Sequence, residues 1–337
     1  MNFFGLDFGD FSFIEFFNNF KNVVTNVLIV MTYLGVAYLG VLYILANRIR
    51  FSFKIPRKTQ RLYTCDRETI NEALGGAENC RIHAEGNDGR HENFLLHYIG
   101  RNNHEGYVTG RFYPAPTPSK GIYIYVHSIG HNLLKGLEYL EFAHKNSYDL
   151  LVFDQPNHGK SYNNGKGNSF GFHESKALEA ILNYIHQRFP EKGLVIHGAG
   201  MGAASAIICL AESEQNHKNW HYRIEKVILE NPIYSIKKII FSLFLDKKTK
   251  VFSSNRVLDM HAFLTKSNPC YTPMSLIGQI NNKIHIFHST QDELAPFFLS
   301  LQAQKQNPNI KLHIMDKGKH NLLFKENPTL FEEALRA

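Results

Sequence analysis

The sequence predicts an α/β fold: a mostly parallel sheet opened by an antiparallel hairpin, with helices on both faces and one apolar helix ahead of it. Three observations carry this. Six short apolar runs alternate with helical stretches from residue 121 onward. Two strand-like runs joined by a turn-rich segment stand just before them. Near the N-terminus, Val27 to Ala46 form twenty consecutive positions without a charge. Short apolar strands alternating with helices indicate a parallel sheet covered on both sides.

The composition agrees. Of 337 residues, 44% are hydrophobic and 20% charged, which excludes wholesale disorder. The four cysteines, Cys65, Cys80, Cys209 and Cys270, form neither a disulfide scaffold nor a zinc pattern. No metal or cofactor is expected. The net charge of +7 is unevenly spread. Six basic residues (Arg48, Arg50, Lys54, Arg57, Lys58 and Arg61) crowd between positions 47 and 61 without an acid. A nucleic-acid binder spreads its excess over a folded face. Here it sits beside the apolar run, so nucleic acid is excluded as a partner and membrane lipid is expected.

The elements follow in chain order. Residues 1–22 form a leader in which eight of the first twenty residues are Phe, suited to the membrane interface. Residues 23–46 are long enough to span the hydrocarbon core of about 30 Å. A buried core helix is the alternative; a cleaved signal peptide fits worse, with no basic n-region and no small-residue cleavage site. One lysine precedes the span and six basic residues follow it, so the positive-inside rule places the C-terminal domain in the cytoplasm at the cell membrane, its cysteines reduced. Residues 47–90 read as a basic linker with one short helix near Thr69–Leu74. Residues 91–337 form the folded domain. Its hairpin pairs Asn93–Ile99 with Tyr107–Tyr113. Strands follow at Gly121–Val126, Tyr148–Phe153, Gly193–His197, Glu225–Leu229, Lys283–Phe287 and Lys311–Met315. Helices are expected at Leu133–Lys145, His173–Arg188, Gly202–Glu214, Pro296–Lys305 and Pro328–Leu335. The interval between Asn231 and Asn282 is too long for one crossover, so a small lid is expected at about 233–280. Within it, Ile236–Lys250 is an apolar stretch flanked by lysines; an ordinary surface helix is the other reading.

Polar signals stand at the C-terminal ends of the strands. His127-Ser128-Ile129-Gly130 follows the first parallel strand, and Asp154-Gln-Pro-Asn-His-Gly-Lys-Ser161 the second. His197-Gly198-Ala199-Gly200-Met201-Gly202 spans the end of the third strand and the start of a helix. His288-Ser-Thr-Gln-Asp292 and Asp316-Lys-Gly-Lys-His320 follow the last two. In this order and placement the chain resembles the α/β-hydrolase family over roughly residues 93–335, and more narrowly its membrane-anchored serine hydrolases of lipase, esterase and serine-aminopeptidase type.

The resemblance implies an α/β-hydrolase fold and a set of roles. Gly198 and Gly202 match the elbow glycines of G-x-S-x-G. Asp292 matches the triad acid and His320 the catalytic histidine. The N–H groups of Ile129 and Met201 match the oxyanion donors. The nucleophile position is vacated: Gly200 stands where the serine is expected, and Ser128 replaces the usual glycine of the oxyanion loop. His158 is read as structural, and Ser205 lies too far along the helix to reach the elbow tip. A dinucleotide loop is excluded, because no acidic residue ends the next strand at the required distance. Glycine keeps the fold and deletes the acyl-enzyme route. The sequence therefore leaves three readings: a hydrolase of weak or non-classical activity, a pseudo-hydrolase binding an acyl or lipid-like molecule at the membrane, and an inactivated form of an active enzyme. A laboratory inactivation would ordinarily use alanine, which argues against the third.

Overall fold

Period-two alternation sorts the strand side chains between two cores. In Gly121–Val126 the side chains of Ile122, Ile124 and Val126 enter one apolar cluster, and those of Tyr123 and Tyr125 enter another. Tyr148–Phe153 divides the same way, Leu151 and Phe153 against Leu150 and Val152. A strand buried on both faces requires a helical layer on each.

The computed structural model describes residues 13–51, 91–239, 252–318, 320 and 322–336. The first twelve residues of the Phe-rich leader and the basic linker from residue 52, with Cys65, Cys80 and the helix expected near Thr69–Leu74, lie outside the described residues. So does most of the Ile236–Lys250 stretch. The chain divides into two units at residue 45.

The N-terminal unit is helical. α1 runs from Phe13 to Phe51 without a break. Its portion Lys21–Asn47 is long and apolar enough to cross a membrane, a property that a signal sequence shares. Large apolar side chains along it, among them Leu28, Met31, Tyr33 and Val36, are exposed.

The C-terminal unit is built on an eight-stranded sheet in the order β1-β2-β4-β3-β5-β6-β7-β8. β1 (Glu92–Ile99) and β2 (Glu105–Tyr113) form the expected hairpin, with Glu92 opposite Phe112 and Ile99 opposite Glu105. β2 also pairs antiparallel with β4 (Tyr148–Phe153). From there β3 (Gly121–Val126), β5 (Gly193–Ala199), β6 (Ile224–Glu230), β7 (Ile284–Ser289) and β8 (Ile310–Met315) are parallel.

On one face α3 (Glu174–Arg188) and α4 (Met201–Gln215) bury Leu178, Ile181, Leu182, Ile185, Ala206, Ile207 and Leu210. The spacing of these residues is that of an apolar helix stripe. The other face is covered by α2 (Leu140–Lys145) and α9 (Pro328–Arg336), through Phe142, Ala143, Phe331, Ala334 and Leu335. The expected helix Leu133–Lys145 begins instead as a 3-10 stretch, Leu133–Tyr139. Gly136 there packs so close to Val152 and Tyr125 that a Cβ would lie 2.4 Å from Val152 Cγ1.

Between β6 and β7, α5 (Phe252–Thr265) docks through two imidazoles. His173 Nε2 lies 3.0 Å from Thr265 O, and His261 Nε2 lies 3.1 Å from Asn168 O. After α6 (Pro273–Leu276), Leu276, Ile277 and Ile280 return to the main core. The segment thus rejoins the body before β7 begins. α7 (Phe298–Gln306) and α8 (Leu323–Glu326) complete the described elements.

Candidate active site

The site forms where β5 turns into α4. Gly200 sits at the tip with φ +52° and ψ −108°, a conformation that side chains resist and glycine accepts. Its N–H donates to Glu230 O at 2.9 Å, and its carbonyl accepts from Ala204 N–H and Ile233 N–H at 3.2 Å each. The flanking glycines are required by close approach. A Cβ on Gly202 would lie 2.0 Å from Val126 O, and one on Gly198 would lie 2.7 Å from Ala203 N. Strand and helix meet here backbone to backbone.

Asp292 and His320 come together from the turns after β7 and β8. His320 Nδ1 is 2.7 Å from Asp292 Oδ2. The second carboxylate oxygen, Oδ1, accepts from Leu294 N–H at 2.8 Å and Ala295 N–H at 2.9 Å. Burial alone would push the Asp292 carboxyl up, but the His320 ring and these two amides outweigh it and hold the carboxyl below its usual range. Asp292 is therefore a carboxylate, and His320 Nδ1–H is its donor. This leaves Nε2 as the free lone pair of the ring. That nitrogen is buried and has no partner among the described residues.

The loop after β3 packs against the elbow. Ser128 is fully buried, and its Oγ accepts from Met201 N–H at 3.4 Å. Ile129, the other expected oxyanion residue, follows it and is buried in the same loop. His127 fixes the loop. Its Nε2 accepts from Gln155 N–H at 3.0 Å, so its Nδ1–H donates to Ser128 O at 2.8 Å. The Ser205 hydroxyl donates to Gln155 Oε1 at 2.8 Å and lies 3.0 Å from Met201 O. Ser205 is thus committed to this brace, away from the elbow tip. Asp154 ties the neighbouring turn: its Oδ1 accepts from Leu133 N–H at 2.8 Å and its Oδ2 from Lys160 N–H at 3.0 Å. His158 is buried, with Nδ1 3.0 Å from Pro156 O, and burial pulls its pKa down.

Three residues that sequence reasoning gave no role also stand at the site. Glu230, fully buried at the end of β6, accepts from Leu323 N–H at 2.8 Å and from Tyr139 O–H at 2.9 Å. It therefore holds the chain just after His320, while its own carbonyl holds Gly200. Burial would raise its pKa, yet His197, the Leu323 amide and Tyr139 bring it below the usual carboxyl value. Its one sequence signal is a carboxylate at the end of an apolar strand.

His131 lies in the same electrostatic field as His320 and Glu230. Burial first, then Lys135 and His320, bring its pKa down to about 4, so its ring is neutral at pH 7. His288 braces the acid turn, with Nε2 2.8 Å from Ala295 O and Nδ1 2.7 Å from Ser300 Oγ. Among the described residues, no group of three or more His, Cys, Asp or Glu is placed to hold a metal ion.

No family model matches the chain. It is 22% identical over 240 residues to the uncharacterized protein YqkD of Bacillus subtilis, covering 68% of this chain and 75% of that one. It is 25% identical over 220 residues to an uncharacterized protein of Acanthamoeba polyphaga mimivirus, covering 62% and 68%. Among solved structures, the esterase Pf2001 of Pyrococcus furiosus superposes with a TM-score of 0.55 at 17% identity, over 73% of this chain and 89% of that one. Est1E of Butyrivibrio proteoclasticus, solved with ferulic acid bound, superposes with a TM-score of 0.52 at 16% identity, over 71% and 99%. These likenesses show the fold: an α/β-hydrolase-like sheet with its N-terminal antiparallel pair.

Proposed function

We propose that this chain is a membrane-anchored hydrolase-like protein that acts on acyl esters by a route without a nucleophile at position 200. The observation that carries the reading is the assembled Asp292–His320 pair, with a buried Nε2 that has no partner among the described residues, beside an elbow whose backbone keeps the form a nucleophile needs. Asp292 fixes the tautomer and orientation of the ring. His320 Nε2 then acts as general base toward an oxygen entering the space beside Gly200. The Met201 and Ile129 N–H groups serve the oxyanion, helped by the N-terminus of α4. Without an elbow nucleophile, residual acceleration in such sites is about 10³–10⁴-fold over water. Weak turnover is therefore the expectation.

Acyl esters are inferred from the esterase neighbours and from the apolar helix at the N-terminus, which would hold the domain at a lipid surface. The basic run at positions 48–61 supports a cytoplasmic orientation and contact with anionic lipid.

The test is hydrolysis of p-nitrophenyl acyl esters by the full chain in detergent, beside His320→Ala. Turnover that falls at least tenfold in the variant supports the reading. Turnover equal in both overturns it. A second reading, a pseudo-hydrolase that binds acyl molecules without cleaving them, is favoured by Gly200 itself. It gains if neither protein turns over and both bind a fatty acid alike.

A further inference from the structure

We propose that Ser128 is the nucleophile of this site, attacking carboxylic esters from the loop that faces Gly200. The inference deepens the ester-hydrolase reading and rests on it. It starts from a donor and an acceptor that the fold leaves unmatched in one buried place. His320 Nε2 is a buried acceptor with no partner among the described residues. Ser128 Oγ accepts the Met201 N–H at 3.4 Å, and its own proton has no acceptor among the described residues. The other hydroxyl near the elbow, Ser205, has its acceptors in Gln155 Oε1 at 2.8 Å and Met201 O at 3.0 Å.

Several contacts tie both groups to the same elbow. Met201 is the first residue of α4 and follows Gly200 directly. Gly200 hangs from Glu230 O, and the Glu230 carboxylate holds Leu323, three residues past His320. His131, whose N–H donates to Ser128 O at 3.2 Å, is electrostatically coupled to His320. Residue 200 brings no side chain to the helix N-terminus, where Ser128 Oγ already meets the Met201 N–H. That N-terminus favours negative charge on the entering oxygen.

Ser128 is also held as a nucleophile must be. Its carbonyl accepts from His131 N–H and His127 Nδ1–H, and His127 is itself anchored by Gln155. A hydroxyl on a braced loop has few other places to point. Ser128 Oγ and His320 Nε2 do not touch in this structure; such hydrogen bonds tighten once substrate is bound.

The step balances. Ser128 Oγ bonds to the ester carbonyl carbon while its proton passes to His320 Nε2. The tetrahedral oxyanion takes over the Met201 N–H. The C–O bond to the alcohol then breaks, and the alkoxide leaves with the proton from His320. Water, deprotonated by the same nitrogen, then attacks the acyl-Ser128 carbonyl; the Oγ–C bond breaks, Oγ takes the proton back from His320 Nε2, and the carboxylic acid leaves.

The experiment treats the full chain in detergent with a fluorophosphonate, whose phosphorus would bond to Oγ as fluoride leaves. Intact mass, peptide mapping and ester turnover are read on the same sample. The expected result is one adduct, on the peptide carrying Ser128, absent in Ser128→Ala and formed at least ~10³-fold more slowly in His320→Ala. Ser128→Cys serves as a second variant: it should become sensitive to alkylation, with loss of turnover, in a His320-dependent way. Turnover without any adduct, or an adduct elsewhere, overturns the proposal while the ester-hydrolase reading stands. Neither adduct nor turnover overturns both.

Discussion

Gly200 holds a backbone conformation with φ +52° that a side chain can adopt only under strain. In a hydrolase elbow that strain is carried by the nucleophile itself, at about 1–3 kcal/mol. The neighbouring contacts persist around the glycine: the Glu230 carbonyl, the Ile233 amide and the close approach at Gly202. The backbone is thus fixed by its surroundings and does not depend on what residue 200 is. Gly200→Ser should therefore fold, with a melting temperature lowered by several degrees, since about 1 kcal/mol moves the midpoint of a large domain by ~2–4 °C. Its new hydroxyl should stand before His320 Nε2 and react with a fluorophosphonate at position 200, faster than the wild-type chain reacts anywhere. A folded variant that gains no adduct at position 200 would show that the elbow and the dyad are not aligned for transfer.

At the scale of elements, the strands were readable because burial on both faces leaves short apolar runs. Gly121–Val126 and Tyr148–Phe153 lie where the sequence puts them. The others differ by one or two residues at their ends, as with β5, which continues through Gly198 to Ala199 because the chain stays extended up to the tip. The Asp292–His320 pair was legible through the resemblance of its two loops to those of the α/β-hydrolases. What stayed hidden depends on contacts between elements far apart in sequence. The 3-10 form of Leu133–Tyr139 follows from crowding at Gly136 by β3 and β4, which no local pattern encodes. Glu230 is the clearest case, since its role consists of tying β6 to Tyr139 and to the start of α8, each more than ninety residues away. Glu230→Ala should leave the Leu323 and Tyr139 donors buried and unmatched, at about 1–3 kcal/mol each. It should also lower turnover by loosening the His320 turn. Glu230→Gln keeps one acceptor and should recover most of the stability. The pH dependence has a definite sign. The folded-state pKa of Glu230 lies below the ordinary value, so its contribution is complete above about pH 4.3 and is lost as pH falls through the folded-state value. Urea midpoints measured between pH 3 and 7 should fall less steeply on the acid side for Glu230→Gln than for wild type. Parallel curves would show that the carboxylate is not what this tie depends on.

At the scale of the whole molecule, the proposed membrane anchoring makes a prediction about the side on which the sheet lies. The apolar part of α1, Lys21–Asn47, has 27 residues. At 1.5 Å per residue it extends about 40 Å, enough for a hydrocarbon core of about 30 Å with tilt or interfacial ends to spare. Charge asymmetry gives the proposed direction. Lys21 is the one basic residue before the apolar run, against Arg48, Arg50, Lys54, Arg57, Lys58 and Arg61 after it. Such asymmetry within fifteen or so residues of a span retains the basic side in the cytoplasm. The folded unit follows the basic side and should lie there too. Its thiols make this measurable, because Cys270 is exposed and Cys209 buried. In intact cells a membrane-impermeant maleimide should leave Cys270 unlabelled, and permeabilisation should expose it to rapid reaction while Cys209 stays protected until the domain unfolds. Cys65 and Cys80, on the same side of the span in sequence, should behave as Cys270 does or react more slowly, but never before permeabilisation. Labelling of Cys270 in sealed cells would reverse the topology and place the Asp292–His320 pair outside. A chain shortened from its N-terminus through the apolar run, consistent with a cleaved signal, would remove the anchor altogether and leave the basic run at 48–61 as the remaining attraction to anionic lipid. Intact mass of the chain recovered from the membrane fraction separates these outcomes directly, because the loss of more than forty residues cannot be mistaken for any modification.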